Sequence, residues 1–320
     1  MDQISIKVLK SLRGIYSKFS HNSVKSGRNW HMFSNKFYSN ELIFQRLMSK
    51  EPCMIGRIGA TEMLCLVNYL GVMQNNKKWI DFVKTNSLPW WWEDSTLKQM
   101  EKWSGFFPAQ KNKIEEFCKL MLDDLQEVDI LGSWLNQEVY LEDRLINAKK
   151  VVLEDLEPFF APNPWTKALE GKNVLVVHPF SETIKLQYEK REFLFSNQLL
   201  PEFNLSTVKA VQSIAGESTE FEDWFDALKW MKFQIDNINY DICIIGCGAY
   251  GFPLAAHVKR MGKKAVHLAG ATQLLFGIKG KRWEKFIVWP YVNLFNEHWV
   301  RPGENEKPQN ANIVEGACYW

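Results

Sequence analysis

The sequence predicts an α/β fold in which a mostly parallel sheet is flanked by helices. Short apolar strands alternate with amphipathic helices along the second half, the order that a parallel sheet requires. The longest apolar runs, such as 242–245, have the length of strands and fall far short of the roughly 20 residues of a membrane span. With 320 residues, 46% of them apolar, the chain suits one large α/β unit or about two domains and excludes global disorder.

The first half contains strands that are marked by apolar runs and helices that are marked by apolar residues every three or four positions. In chain order we expect a basic helix at 1–19, a polar loop at 20–40, a helix at 40–48, a strand from 53 to a glycine turn at 59, helices at 61–70 and 113–127, a strand at 128–131, a helix at 138–146 and a strand at 150–153. The stretch 75–118 is rich in tryptophan and phenylalanine, and we interpret it as an aromatic-rich helical insertion.

The second half is more regular, and three prolines at 158, 162 and 164 separate it from the first. Its expected elements are strands at 173–177, 205–211, 241–245 and 264–268, with helices at 182–197, 219–236 and 253–261. The predicted organisation is therefore an N-terminal helix and loop (1–39), a first α/β half (40–157), a second, nucleotide-binding half (158–290) and a C-terminal tail (291–320).

The formal net charge is only +2, but the charge is unevenly distributed. Residues 1–50 carry nine Lys/Arg and two acidic residues, and residues 259–285 carry eight Lys/Arg and one acidic residue. Two basic zones on an acidic body favour local anion binding over a nucleic-acid partner, with ordinary solvated faces as the alternative. The six cysteines are scattered without a CxxC or zinc pattern, which indicates buried, reduced thiols in a cytoplasmic protein.

The N-terminal helix carries Ile4, Val8, Leu12, Ile15 and Phe19 at helical spacing, with basic residues between them. Such a helix can rest on an anionic membrane surface, at the inner face of the membrane in a cytoplasmic protein. The alternative is a helix that packs on its own domain.

The sharpest motif is the glycine loop Gly246, Gly248 and Gly251, a GxGxxG pattern between an apolar strand and a helix. Glycines allow a tight turn and let a phosphate approach the backbone N–H groups at a helix N-terminus. An NAD site also needs an acidic residue near the end of the next strand, and residues 264–270 contain none. A phosphate-bearing ligand or a plain strand–helix turn remain as interpretations, and an NAD(P)-linked oxidoreductase is disfavoured.

Two further segments are candidates for binding a diphosphate. His178 ends a strand and Ser181 opens the next helix, where free N–H groups attract an anion; Lys185 and Arg191 follow on that helix. Later in the chain, Lys279 and Arg282 follow glycines that could let them close over a diphosphate. The alternative for the first segment is that His178 has a structural role. The alternative for the second is a solvated surface loop.

A fourth segment runs from Arg57 to Glu62 and places a carboxylate just after a glycine turn at a strand end. This position suits a group that holds a metal, a sugar hydroxyl or a proton. The alternative is a helix start in which Thr61 caps and Glu62 pairs with the helix dipole.

The segment Arg57-Ile58-Gly59-Ala60-Thr61-Glu62 resembles the Arg-Phe-Gly-Asp-Gly-Glu signature of the GT-D glycosyltransferases. The glycine loop before Ala255 and the strand that ends at Gly270 are similar to the second half of that family, and the resemblance spans most of 40–285. It implies a Rossmann-like, GT-D-like fold and a nucleotide-sugar donor. The overall pattern of the sequence also resembles that of GT-D fold-like proteins encoded near bacterial surface-polysaccharide genes.

The resemblance implies a transferase that moves a sugar from a nucleotide-diphosphate sugar to a glycan or lipid-linked acceptor in surface-glycan assembly. Its catalytic residues would be Glu62, His178 and Arg57. Glu62 would also be the ligand of Mn²⁺ or Mg²⁺, but Ala60 replaces the expected aspartate and a lone carboxylate is a weak site for such ions. This departure leaves a catalytically inactive nucleotide-sugar or glycan-binding subunit as the alternative function.

Aromatic side chains provide the candidate acceptor contacts. Trp134, with Asn136 and Glu138, follows another strand end. The chain has 14 tryptophans, and the group at 79, 90–92 and 103 could form an acceptor platform or an oligomer face, because indole faces stack on sugars. We expect Trp224 and Trp230 to pack in the core.

Overall fold

The computed structural model describes residues 2–19, 34–75, 77–197, 199–284, 291–313 and 316–320. Most of the predicted polar loop at 20–40 lies outside these ranges. The described α-helices are α1 Gln3–Phe19, α2 Lys36–Met48, α3 Ala60–Met73, α4 Trp79–Val83, α5 Asp94–Ser104, α6 Lys111–Asp124, α7 Ser181–Tyr188, α8 Arg191–Leu194, α9 Trp224–Asp236, α10 Gly251–Arg260, α11 Ala271–Leu275 and α12 Lys281–Glu284. Within these ranges, no helix combines the length and hydropathy that a membrane span needs.

Seven parallel strands form one sheet, which confirms the predicted α/β class and is consistent with a Rossmann-like arrangement. The strands are β1 Cys53–Gly56, β2 Ile130–Ser133, β3 Lys149–Val152, β4 Asn173–His178, β5 Asn204–Lys209, β6 Ile242–Ile245 and β7 Lys264–His267. Their order across the sheet is β3-β2-β1-β7-β6-β4-β5. The pairing of β1 with β7 joins the two predicted halves in a single sheet.

Helices cover both faces of the sheet because the central strands are apolar on both sides. β1 and β6 are buried at every position. One face packs against α3, α5, α6, α9 and α10, and the other against α2, α7, α8, α11 and the C-terminal segment. The neighbours β6 and β4 continue in opposite directions, β6 towards β7 and β4 towards β5. Such a reversal leaves a crevice at the carboxyl ends of the strands, the usual binding position in this class of sheet.

Three sequence predictions about individual elements are wrong. The helix expected at 138–146 is a 3₁₀ turn at Asn136–Leu141. The helix expected at 182–197 is divided into α7 and α8, and Trp299 Nε1 donates to the Leu194 carbonyl where α8 ends. Trp224 is fully buried as predicted, but Trp230, only six residues further on α9, is 36% exposed. The contact from Trp299 at the end of α8 comes from a distant segment, and local periodicity does not report such contacts.

Candidate active site at the carboxyl edge of the sheet

Two adjoining cavities lie at the carboxyl ends of the central strands. The larger, of about 470 Å³, lies beyond β1 and β7 and is called here the arginine cleft; its polar walls include Arg57, Glu62, Glu157, His267 and Arg282. The smaller, of about 120 Å³, lies at the crevice between β4 and β6 and is called the switch-point pocket. Shared walls make them one continuous site: Trp103, Ser104, Gly248, Ala269, Gly270 and Tyr319.

Arg57 extends from the end of β1 into the arginine cleft. Its guanidinium lies over the indole ring of Trp134, 4.6 Å from the centroid, and its buried Nε has no hydrogen-bond partner in the described ranges. Burial lowers the pKa of Arg57, while Glu62 and Glu157 act on it only as nearby charges. A buried cation without a paired anion is costly. The arrangement is therefore suited to an anionic ligand.

Arg282 is the second guanidinium of the arginine cleft. Its Nη1 donates to Tyr319 Oη at 2.8 Å, and the guanidinium lies 4.8 Å from the centre of the same ring. It is close enough to Arg57 to lower the pKa of that residue. Lys279, predicted alongside it, does not line either cavity; its backbone N–H donates to the Val300 carbonyl instead.

Glu157 faces the same cleft, and sequence reasoning missed it. Its Oε2 accepts a hydrogen bond from Tyr291 Oη at 2.5 Å. Burial raises the pKa of Glu157 to about 7, against the hydrogen bond and the charges of Lys36 and Arg57, which lower it. A carboxyl group with a pKa near neutrality can accept or donate a proton during a reaction. The available signal was its position four residues past the predicted strand at 150–153.

His267 was also missed, although it ends the strand β7. Its Nδ1 lies 3.2 Å from the Ile245 carbonyl oxygen, so Nδ1 carries the proton and Nε2 is the acceptor. Burial and the charge of Arg57 lower the pKa of His267 to about 4, so the ring is neutral near pH 7. A Cβ on Gly251 would collide with this ring.

Two glycines of the loop, Gly246 and Gly251, are needed for close packing, since a side chain there would collide with neighbouring residues. A Cβ on Gly246 would come within 2.5 Å of the Ala269 carbonyl oxygen and of Thr272 Oγ1. Gly248 has a φ of 58° and lines both cavities. Gly246 lines the switch-point pocket, whereas Gly251, also predicted to contact the ligand, lines neither cavity. Of the three loop glycines, the first two line the site, together with Cys247, Ala249 and Tyr250 of the same loop.

Glu62 occupies the first turn of α3 and folds back over Gly59, where a Cβ would overlap its carboxylate. It is 9% exposed and lines the arginine cleft. Within the described ranges, no group of three His, Cys, Asp or Glu residues is arranged to hold a metal ion. The residues present therefore do not fit the metal site that the resemblance implies.

His178 ends β4 and lines the switch-point pocket, as predicted from its strand end. Its Nδ1 accepts a hydrogen bond from the Phe180 N–H at 3.0 Å, so Nε2 carries the proton. Burial lowers the pKa of His178 to about 3. The ring can donate a neutral hydrogen bond from Nε2, but it does not supply positive charge to a diphosphate.

The anion expected at the start of α7 is a side chain of the protein itself. Glu306 Oε1 accepts from the Glu182 N–H at 2.8 Å, and Thr183 Oγ1 donates to the other carboxylate oxygen. Ser181 does not cap the helix, and its buried hydroxyl has no hydrogen-bond partner within the residues that the structure describes. A carboxylate of the chain therefore occupies the helix start at which the sequence predicts a ligand diphosphate.

Lys185 and Arg191 lie away from both cavities. Lys185 pairs with Glu182 at 2.9 Å on the exposed side of α7. Arg191 lies 3.3 Å from Glu202, and its guanidinium lies over the Tyr188 ring. Neither of these predicted diphosphate contacts lines the cleft.

Of the three predicted acceptor residues, Trp134 lines the cleft and Glu138 holds the turn that contains it. Trp134 lines the arginine cleft and donates from Nε1 to the Ile58 carbonyl at 3.0 Å. Glu138 is buried and accepts from the Trp134 N–H at 2.9 Å and from the Leu135 N–H at 3.0 Å, so it holds the turn and does not line either cavity. Asn136 is exposed and lines neither cavity.

The aromatic stretch contributes one indole to the site. Trp103 lines both cavities. Trp90 and Trp91 instead pack edge to face with each other and with Phe82, beneath α1.

Searches against protein-family models, curated proteins and solved structures return no match for this chain. The chemistry of the site therefore has to be judged from its geometry. That geometry joins two guanidiniums, an ionisable carboxyl group and indole walls at the edge of the sheet where ligands usually bind.

Proposed function

We propose that the protein is a glycosyltransferase that uses a nucleoside-diphosphate sugar as its donor. The observation that carries the proposal is the buried Arg57 guanidinium, which has no anionic partner in the described part of the chain and lies near Arg282 and Glu157. The GT-D-like segment Arg57–Glu62 supports the same reading, because its two charged ends both line the arginine cleft.

In the proposed reaction, an acceptor hydroxyl oxygen forms a bond to the anomeric carbon of the donor sugar. The bond between that carbon and the β-phosphate oxygen breaks, and its electron pair stays on the nucleoside diphosphate. Arg57 and Arg282 offset this developing charge. Glu157, in its ionised form, takes the proton of the acceptor hydroxyl.

The remaining walls suit the other parts of the ligands. Trp134 and Trp103 offer indole faces to sugar C–H surfaces. His178 offers a neutral hydrogen-bond donor to the nucleoside side, next to Gly246 and Gly248. We propose a glycan or lipid-linked acceptor of surface-glycan assembly, and a cytoplasmic location that fits six free, buried thiols.

A second candidate is a nucleotide-sugar or glycan-binding subunit without turnover. Ala60 favours it, because the acidic residue expected at that position in GT-D enzymes is missing and Glu62 faces its own helix start. Both candidates share the donor site and differ only in the transfer step.

Titration calorimetry with a panel of uridine, guanosine and cytidine diphosphate sugars, each with and without Mn²⁺, tests the donor site. We expect one donor class to bind, and binding that the free nucleoside diphosphate competes away. A folded protein that binds none of them rejects both candidates. Donor binding without sugar transfer to any acceptor in a cell extract, and without slow donor hydrolysis, favours the binding subunit.

A further inference from the structure

In the described part of the chain, helix α1 contacts the rest of the protein through one face. Ile6 is buried against Phe82 and Trp91, and the guanidinium of Arg13 lies 4.5 Å from the centre of the Phe82 ring. Lys10 pairs with Glu93 at 2.5 Å. These contacts fix the rotation of the helix about its own axis, so its opposite face points away from the body.

The opposite face is the apolar row that the sequence pattern singled out. Its five side chains are exposed: Ile4 77%, Val8 52%, Leu12 41%, Ile15 55% and Phe19 84%. They recur at intervals of three or four residues, so they form one stripe along the helix. The predicted packing of α1 on its own domain is therefore made by other residues, and the stripe is left uncovered by the described chain.

The charges beside the stripe have one sign. No acidic residue occurs between positions 3 and 19, and Lys7 and Lys18 are exposed on one flank of the stripe by the helical repeat. Lysine is depleted in protein–protein interfaces, but it is typical of helices that lie in the headgroup region of a membrane. The helix is thus complementary to a surface with an apolar interior and an anionic outer layer.

The neighbouring helix α4, which packs against α1, adds exposed apolar area. Trp79 is 58% exposed and Ile80 is 43% exposed. Tryptophan favours the boundary between water and lipid.

We propose that α1 docks the protein on a membrane surface that contains anionic lipids. The stripe enters the boundary between headgroups and acyl chains, and Lys7 and Lys18 contact the phosphates. The helix lies in the plane of the membrane, and its attached face keeps the rest of the protein on the water side. This inference is independent of the proposed transferase activity.

Sedimentation of the full chain with vesicles tests the docking, using phosphatidylcholine alone or mixed with phosphatidylglycerol. We expect binding to the mixed vesicles that weakens as salt is raised. The double variant Leu12→Glu/Ile15→Glu should bind on the order of a hundredfold more weakly, because two apolar side chains no longer enter the lipid. Ile146→Glu is the matched control, since Ile146 is 80% exposed outside α1, and it should bind like the parent.

The charge contribution is tested separately by Lys7→Gln and Lys18→Gln, which leave the apolar stripe intact. Each should weaken binding to the mixed vesicles about fivefold and leave binding to phosphatidylcholine unchanged. The proposal is overturned if the parent does not sediment with mixed vesicles, or if the α1 variants sediment as well as the parent. It is equally overturned if the parent forms a dimer that Leu12→Glu/Ile15→Glu dissociates, because a second copy would then cover the stripe.

Discussion

Two positively polarised places at the carboxyl edge of one sheet receive negative charge in different ways. At the start of α7, the carboxylate of Glu306 accepts the free backbone N–H groups, so the chain itself supplies the anion. In the arginine cleft, the buried Nε of Arg57 has no acceptor among the described residues. The first place is complete without a ligand and stabilises the fold. The second has no paired anion among the described residues, and an anion that entered from outside would offset its charge.

The largest expected effect tests whether the arginine cleft performs chemistry. Glu157→Gln should lower sugar transfer on the order of a thousandfold, because the amide cannot take a proton, while donor binding persists. In the parent, the rate should rise as the pH increases through about 7, since the base must be ionised. Measuring kcat against pH checks both statements, and a variant with parental turnover would exclude Glu157 as the base.

The next effect tests whether the uncompensated charge is the binding determinant. Arg57→Met should weaken donor binding on the order of a hundredfold, because charge-assisted hydrogen bonds to the diphosphate are lost. The folded state should be no less stable, since an unpaired buried charge is removed. Arg191→Met, which removes an arginine that is already paired with Glu202, should bind the donor normally. Calorimetry and thermal unfolding of both variants decide this, and equal binding losses would contradict it.

The other side of the comparison is tested at Glu306. Glu306→Gln should reduce the free energy of unfolding by about 2 kcal/mol, because the start of α7 loses its anionic acceptor. Donor binding should not change. Glu304→Gln, at an exposed position of the same turn, should unfold like the parent in urea. A stable Glu306→Gln protein would mean that solvent satisfies this helix end.

The smallest effect concerns the pH dependence of stability. The folded-state pKa of Glu157, about 7, lies above its ordinary value of 4.5, so between these pH values the folded state binds more protons than the unfolded state. Stability should therefore fall as the pH rises through this window, on the order of 1 kcal/mol after solvent screening. Urea unfolding at several pH values should show a smaller decrease for Glu157→Gln. If stability falls equally with pH in Glu157→Gln and in the parent, groups other than Glu157 cause the decrease.

The positions of the central strands could be predicted from the sequence because they are short, buried apolar runs, as in β1 and β6. Arg57, Glu62, Trp134 and Arg282, which the sequence predicts as site residues, all line one cleft. His267 and Glu157 were missed because their importance depends on which strand ends are neighbours. Glu306 was missed because it lies 124 positions from its partner Glu182.

The N-terminal helix shows the same division. The spacing of its apolar residues predicts an amphipathic helix at 1–19, and the structure has a helix at Gln3–Phe19. The sequence could not predict whether the apolar row from Ile4 to Phe19 faces the body of the protein. A second face, formed by Ile6, Leu9 and Arg13, packs against α4 and Trp91 instead.

The sequence by itself determined the α/β class, the approximate strands and the amphipathic character of α1, because these follow from hydrophobic periodicity within a few residues. Only the tertiary structure decided which cations remain without an anion. A charge at a strand end is neutralised or left open by side chains that approach from other strands and from the C-terminal segment, and burial then sets the pKa of the carboxyl group beside it.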